Sequence, residues 1–272
     1  MLRRTFFVSI LGLLFLSVPM FAKDKEPIQV LIITGDHGHQ WKETTPFIKD
    51  LLTQAGMKVD VTETPAKDLT TATLAKYDVL FLNYKDTKNG GPDTHWSDDN
   101  KKAFEEAVQG GKGLVVYHHA SSAFTSGSKF DSEFEKIIAG GWRKQGNHGK
   151  RHVFSVTIRK ADHPITRGMP AEFQHANDEL YQNSVMLPES VVLATAYSDK
   201  TIDPKNSGKM EPVVWVAKVG QGRVCENVLG HDVAAMKDLG FQTLMIRCVE
   251  WAGRGEVRYP VPPELQKGKG GR

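Results

Sequence analysis

The sequence predicts an α/β fold: a mostly parallel sheet with helices on both faces and an antiparallel extension. Ile28–Ile33, Tyr77–Leu82 and Gly113–Tyr117 are short, near-continuous apolar runs, as strands buried on both faces are. Helical patterns alternate with such runs at the interval expected of βαβ units. The second half of the chain differs. Phe154–Ile158 alternates like a half-exposed strand, and Gly220-Gln-Gly222 reads as a hairpin turn.

The elements follow in order. Ile28–Ile33 is the first strand and ends in Thr34-Gly-Asp-His37-Gly-His39. Thr44–Ala55 has helical spacing, with Phe47, Ile48, Leu51 and Leu52 on one face, and Gly56 fits its stop. Met57–Val61 and Tyr77–Leu82 are the second and third strands. Ser97 is a good N-cap for a helix through Val108, which Gly110-Gly111 ends. Gly113–Tyr117 is the fourth strand. Right-handed crossovers then place helices on both faces of the sheet. Val191–Ala196, Val213–Val219 and Arg223–Leu229 are later strands. Leu239–Trp251 is a final helix with Phe241, Leu244, Met245, Cys248 and Ala252 on one face. This describes one domain over residues 28–253, not two.

The ends of the chain read differently. Arg3 and Arg4 precede the apolar stretch Thr5–Val18, and Pro19-Met-Phe-Ala22 offers a cleavage region, so residues 1–22 read as a signal peptide. The stretch is shorter than the ~20 residues a spanning helix needs, so no stable membrane insertion is expected after processing. An exported protein, periplasmic or extracellular, is the expectation. Removing Arg3 and Arg4 lowers the formal charge from +3 to +1. A near-neutral body argues against a nucleic-acid partner. Residues 260–272, proline-rich and then basic, read as a disordered tail. Export would place Cys225 and Cys248 in an oxidising compartment. They could face each other across one packed layer, but two buried free thiols are the commoner outcome.

The ten histidines are unevenly spread. His37 and His39 follow the first strand, and His118 and His119 the fourth. His148 and His152 flank a glycine-rich loop. His231, in Leu229-Gly-His-Asp232, again follows a strand. Ligands in open α/β sheets sit beyond the carboxyl ends of the strands, so these groups would converge on one edge. A lone histidine is most simply a packed or capping residue, but a pair at a strand end favours function. Imidazole suits a divalent metal, zinc first, and a carboxylate commonly completes the shell. The expected ligands are His118, His148, Glu179 and His231. No His-Glu-x-x-His spacing is present, and the histidines could also act alone. Asp178, Glu179 and Asp232 are the candidates for proton transfer, with His118 as their catalytic partner. For a lone carboxylate such as Asp178, a turn or cap role competes.

Other chemistries fare worse. Ser121 and Ser122 lack the Gly-x-Ser-x-Gly setting of a nucleophile elbow. Neither cysteine follows a strand into a helix. No nucleotide cofactor is expected. Trp41 and Trp142, at predicted loops or strand ends, could stack on sugar faces, although most aromatic rings are core. With His37 and His119 they form the expected substrate-binding set.

Several motifs occur together: Gly113-Leu-Val-Val-Tyr-His-His-Ala120, Ile138-Ala-Gly-Gly-Trp142 followed by His148, Asp162-His-Pro-Ile-Thr-Arg-Gly168, Asp178-Glu-Leu-Tyr181, Pro212-Val-Val-Trp215, and Gly220-Gln-Gly-Arg223 with Leu229-Gly-His-Asp232. In this order they resemble the trehalose-utilisation ThuA-like domain over nearly all of 28–252. The resemblance implies a flavodoxin-like fold of the class I glutamine amidotransferase type. The amidotransferases place a cysteine where this chain has His118-His119, so thiolate chemistry on glutamine is unavailable here. The resemblance also implies disaccharide catabolism, in particular through 3-keto sugars. It carries over His118, Glu179, His231, Asp232 and His148; His37 matches only loosely.

The expectation is therefore an exported enzyme acting on a disaccharide or 3-keto-glycoside by hydrolysis, elimination or isomerisation. A keto group acidifies the adjacent C–H, so a modest base suffices without the carboxyl pair of ordinary glycosidases. The alternative is a non-catalytic sugar-binding module.

Overall fold

The computed structural model describes residues 26–35, 39–86 and 95–267. The expected signal peptide, His37 and residues 268–272 lie outside them. No helix among the described residues is long and apolar enough to cross a membrane.

The first half runs as the hydrophobic pattern dictates. Strand β1 (Gln29–Ile33) leads to helix α1 (Trp41–Gln54) and β2 (Lys58–Thr62). Two short turns of helix, α2 (Pro65–Asp68) and α3 (Thr71–Leu74), precede β3 (Val79–Leu82). Helix α4 (Asp98–Gln109) and β4 (Gly113–Tyr117) follow. A capping box between Ser97 and Asn100 starts α4.

Strands β1, β3 and β4 are buried on both faces. Val30, Ile32, Val79, Phe81, Val115 and Tyr117 point to one core, with α1 and the long C-terminal helix over Leu239–Arg254. Leu31, Ile33, Leu80, Leu82, Leu114 and Val116 point to the other, with α4 and the next helix. That division explains why these strands lack polar alternation.

A 3₁₀ turn over His118–Ser122 and helix α5 (Lys129–Ile137) follow β4. Short strands β5 (Gly140–Gly141) and β6 (Asn147–His148) lead into the long strands β7 (His152–Ile158) and β8 (Glu172–Asp178). Then come β9 (Tyr181–Gln182), β10 (Val185–Met186), β11 (Val191–Tyr197), β12 (Met210–Val219) and β13 (Gly222–Asn227). Helices α6 (Val233–Met236), α7 (Leu239–Arg254) and α8 (Pro263–Lys267) close the chain.

The nine-stranded sheet has the order β2-β1-β3-β4-β13-β12-β11-β7-β8. β2, β1, β3, β4 and β13 are mutually parallel. From β13 outward every pairing is antiparallel. Four reversals return β8 to the direction of β4. The carboxyl ends of β1, β4, β13 and β8 therefore share one edge. Helix α7 lies close on β4: a Cβ on Gly113 would fall 2.5 Å from the Ala252 backbone.

Two expectations are corrected. Cys225 on β13 and Cys248 on α7 form a disulfide rather than two free thiols. Both face the same core layer, and their Cα atoms are 5.9 Å apart, inside the range a disulfide spans. Residues 260–265, expected to be disordered, are held against the domain. Val261 and Leu265 pack against the core, and Arg247 donates to the Tyr259 carbonyl, so apolar burial and a buried cation hold this segment.

Candidate metal centre at the carboxyl edge of the sheet

Each strand end on the shared edge delivers one group. β1 leads to His39, β4 to His118, β8 to Glu179 and β13 to His231. One ligand atom from each of these four lies within 4.8 Å of all the others.

His118 is the most constrained. Its φ is +42°, left-handed backbone that a non-glycine residue rarely adopts and that costs on the order of 1–3 kcal/mol. The turn aims the ring back over the sheet edge. Its Nδ1 lies 2.7 Å from the Val228 carbonyl oxygen, so Nδ1 carries the proton and Nε2 the lone pair. Burial lowers its pKa, outweighing the nearby carboxylates. The ring is therefore neutral at neutral pH, as a metal ligand must be.

Around that Nε2, His231 Nδ1 lies at 3.3 Å and Glu179 Oε2 at 3.7 Å. His231 Nδ1 and Glu179 Oε2 are 3.1 Å apart. A tetrahedral zinc with bonds of about 2.0–2.1 Å separates its ligand atoms by roughly 3.3 Å, so the three edges fit. Burial raises the Glu179 pKa, but its hydrogen bond with His231 and the neighbouring imidazoles lower it further. It remains a carboxylate. The same hydrogen bond raises the pKa of His231. His39 brings its ring to 4.7 Å from that of His231 and 5.3 Å from that of His118.

The comparisons with known proteins bear on this arrangement. The family model ThuA, described as trehalose utilisation, matches residues 29–252. The chain belongs to the ThuA family. It is similar to a ThuA-like protein of Parabacteroides merdae, at 31% identity and TM-score 0.74, covering 87% of this chain and 93% of that one. A ThuA-like protein of Bacteroides uniformis, at 20% identity and TM-score 0.66, covers 88% and 98% respectively and shows the shared fold. No curated protein matches.

Within this ThuA domain, Asp178 does not have the surroundings of a proton shuttle. It is fully buried. Its Oδ1 accepts from the amides of Glu179 at 2.8 Å and His231 at 3.0 Å. Its Oδ2 accepts from the Gly230 amide at 2.6 Å and His175 Nε2 at 2.8 Å. With four donors it has no site for substrate, and it ties two ligand-bearing loops together. Gly230 makes this possible: its φ is +91°, and a Cβ there would meet the Phe241 ring at 2.5 Å.

Asp232 is likewise engaged. It caps α6 through the Ala235 amide and pairs with Arg151 at 2.7 Å. It holds the end of the His231 loop, so the proton-transfer role expected of it is not what its contacts provide.

Of the remaining candidates, His148, His119 and Trp142 form a rim, and Trp41 lies elsewhere. His148 is exposed, and its Nε2 lies 3.8 Å from Glu179 Oε1. It stands outside the four-atom cluster, where His39 takes the place expected of it. The His119 ring lies against that of His39, tilted by 30° with centroids 3.7 Å apart. Trp142 meets the Tyr181 ring edge-to-face at 4.5 Å. Trp41, 8% exposed, lines a cleft with Lys49 and Glu63, a set that includes none of the four clustered groups.

Sequence reasoning placed His39 at the converging edge without counting it among the ligands, and it assigned no role to Tyr181 or His175. His39 shares its loop with His37, and the strand-end signal does not separate the two. Tyr181 stood inside the Asp178-Glu-Leu-Tyr motif. His175 lies on β8, a strand whose sequence Glu-Phe-Gln-His-Ala-Asn-Asp is too polar to read as one.

Proposed function

We propose that this ThuA-family protein is an exported, carbohydrate-active enzyme that binds a divalent metal, zinc first, and acts on a disaccharide or 3-keto-glycoside. The observation that carries this reading is the meeting of His39, His118, Glu179 and His231 within 4.8 Å. Three imidazoles and one carboxylate form a donor set that zinc accepts. Bound there, the ion would supply Lewis acidity to a sugar carbonyl or hydroxyl oxygen.

The chain's own residues supply the rest. Asp178 fixes the loops that carry Glu179 and His231. Trp142 presents a half-buried ring beside the cluster, suited to the C–H face of a sugar. His148, exposed and 3.8 Å from Glu179, is the group placed to take the proton from the carbon beside the substrate's keto group. The family's description, trehalose utilisation, supports a disaccharide-derived substrate. The Cys225–Cys248 disulfide supports an oxidising compartment.

Elemental analysis of protein purified without an affinity tag tests the metal. Turnover of 3-keto-disaccharides with and without chelator tests the reaction. The expected result is about one zinc per chain and activity that chelation abolishes. Protein free of metal, inert toward keto and plain glycosides alike, would overturn the reading.

A further inference from the structure

The Nε2 of His118 already has a partner. Because Nδ1 donates to Val228, Nε2 is the acceptor in its 3.0 Å contact with the Tyr181 hydroxyl. A metal on His118 needs that same lone pair, and a nitrogen with one lone pair cannot serve both. The phenol cannot retreat far. Tyr181 is 3% exposed, its backbone pairs with His148, and its ring packs against those of Trp142 and His118 at 4.5 Å. Once displaced from the nitrogen, its O–H stays beside the cluster and must find a new acceptor, since a buried donor left unsatisfied is costly.

We propose that Tyr181 is a hydrogen-bond donor exchanged from protein to substrate: with His118 Nε2 committed as a ligand, the phenol would be free to donate to a sugar oxygen beside the cluster. This rests on the metal reading above and adds a role that reading does not require. The class of substrate group is defined by it. The phenol pairs with an acceptor oxygen that gains negative charge as the reaction proceeds, such as the oxygen of a keto sugar becoming an enolate.

The test is Tyr181→Phe, which keeps the ring and removes the donor. Zinc affinity is measured by competition with a chromophoric chelator. The Phe variant is expected to bind zinc more tightly than wild type, by about 2- to 10-fold, the equivalent of one net neutral hydrogen bond. Its kcat on a 3-keto-disaccharide is expected to fall about 100-fold, as when a single oxyanion donor is removed, with KM little changed. In wild type, zinc addition should produce a near-ultraviolet tyrosine difference signal that Y181F lacks. This readout stands even if the variant folds poorly. Wild-type protein that takes up no zinc overturns the metal reading and this proposal with it. Wild-type protein that binds zinc without a tyrosine signal, or a Y181F variant that binds zinc equally well or more weakly, overturns this proposal alone.

Discussion

The amide of His231 donates to Oδ1 of Asp178 at 3.0 Å, a link between residues 53 positions apart that ties the end of β13 to the end of β8. The same carboxylate holds the amide of Glu179. Two of the four clustered groups are thus placed by one buried anion. Its oxygens accept from backbone amides and from His175, not from the side chains of the cluster among the described residues, so its part is positional.

Asp178→Asn keeps the shape but replaces one acceptor oxygen with a donor that faces backbone amides. Breaking a buried, charge-assisted network of this kind costs about 3–5 kcal/mol. The expected outcome is a large drop in Tm, with zinc stoichiometry lost even under conditions where the variant is folded. Calorimetry and elemental analysis on the same sample check it. A variant that retains both zinc and stability would show that the loops are held by other means.

The pair formed by Asp178 and His175 gives stability a pH signature. Burial alone would lower the His175 pKa, but the hydrogen bonds to Asp178 and Asp238 raise it from 6.5 to about 9. Its contribution is full below the unfolded value and is lost as pH rises through about 9. Burial alone would raise the Asp178 pKa, but the His175 hydrogen bond and the nearby histidines lower it from 3.8 to about 2. Its contribution is full above the unfolded value and is lost as pH falls toward about 2. Both are complete only between roughly pH 4 and 6.5. For His175→Gln, the Tm deficit relative to wild type should be greatest in that window and shrink toward pH 9. A deficit that is flat across this range would contradict the assignment.

Glu226 has the opposite sign. It sits on β13 with no exposure, and burial pushes its carboxyl well above the usual range, against the weaker pull of Arg143 and Ser121. The folded protein keeps the proton that the unfolded chain gives up above pH 4.5. Wild-type stability therefore declines with rising pH by up to about 1.4 kcal/mol per unit until the native group ionises. Glu226→Gln is neutral at every pH. Its Tm should match wild type near pH 4 and exceed it increasingly above, as thermal melts across a pH series would show.

The parallel half of the fold was legible because β1, β3 and β4 are apolar on both faces. Gly113–Tyr117 begins and ends where the sequence places it, and Ser97 caps α4 as expected. β8 was not legible. Its exposed Glu172, Gln174 and Asn177 and its buried His175 and Asp178 give no apolar alternation, because its polar side chains are satisfied by tertiary partners that the local sequence does not contain. The site followed the same division. His118, Glu179 and His231 follow from motifs and strand ends. The choice between His39 and His148 depends on where two loops come to rest, and spacing along the chain does not encode that.

That choice can be decided by substitution. His39 belongs to the set whose ligand atoms lie within 4.8 Å of one another, whereas His148 reaches only Glu179, at 3.8 Å, from an exposed position. His39→Ala should lower zinc affinity by about 10- to 100-fold or more, because a direct ligand is lost and losing a group that merely orients a ligand already costs that much. His148→Ala should leave zinc stoichiometry at wild type while reducing turnover by about 100-fold or more, the contribution of a general base. Zinc lost from H148A and kept in H39A would reverse the assignment and restore the ligand set that the sequence alone suggests.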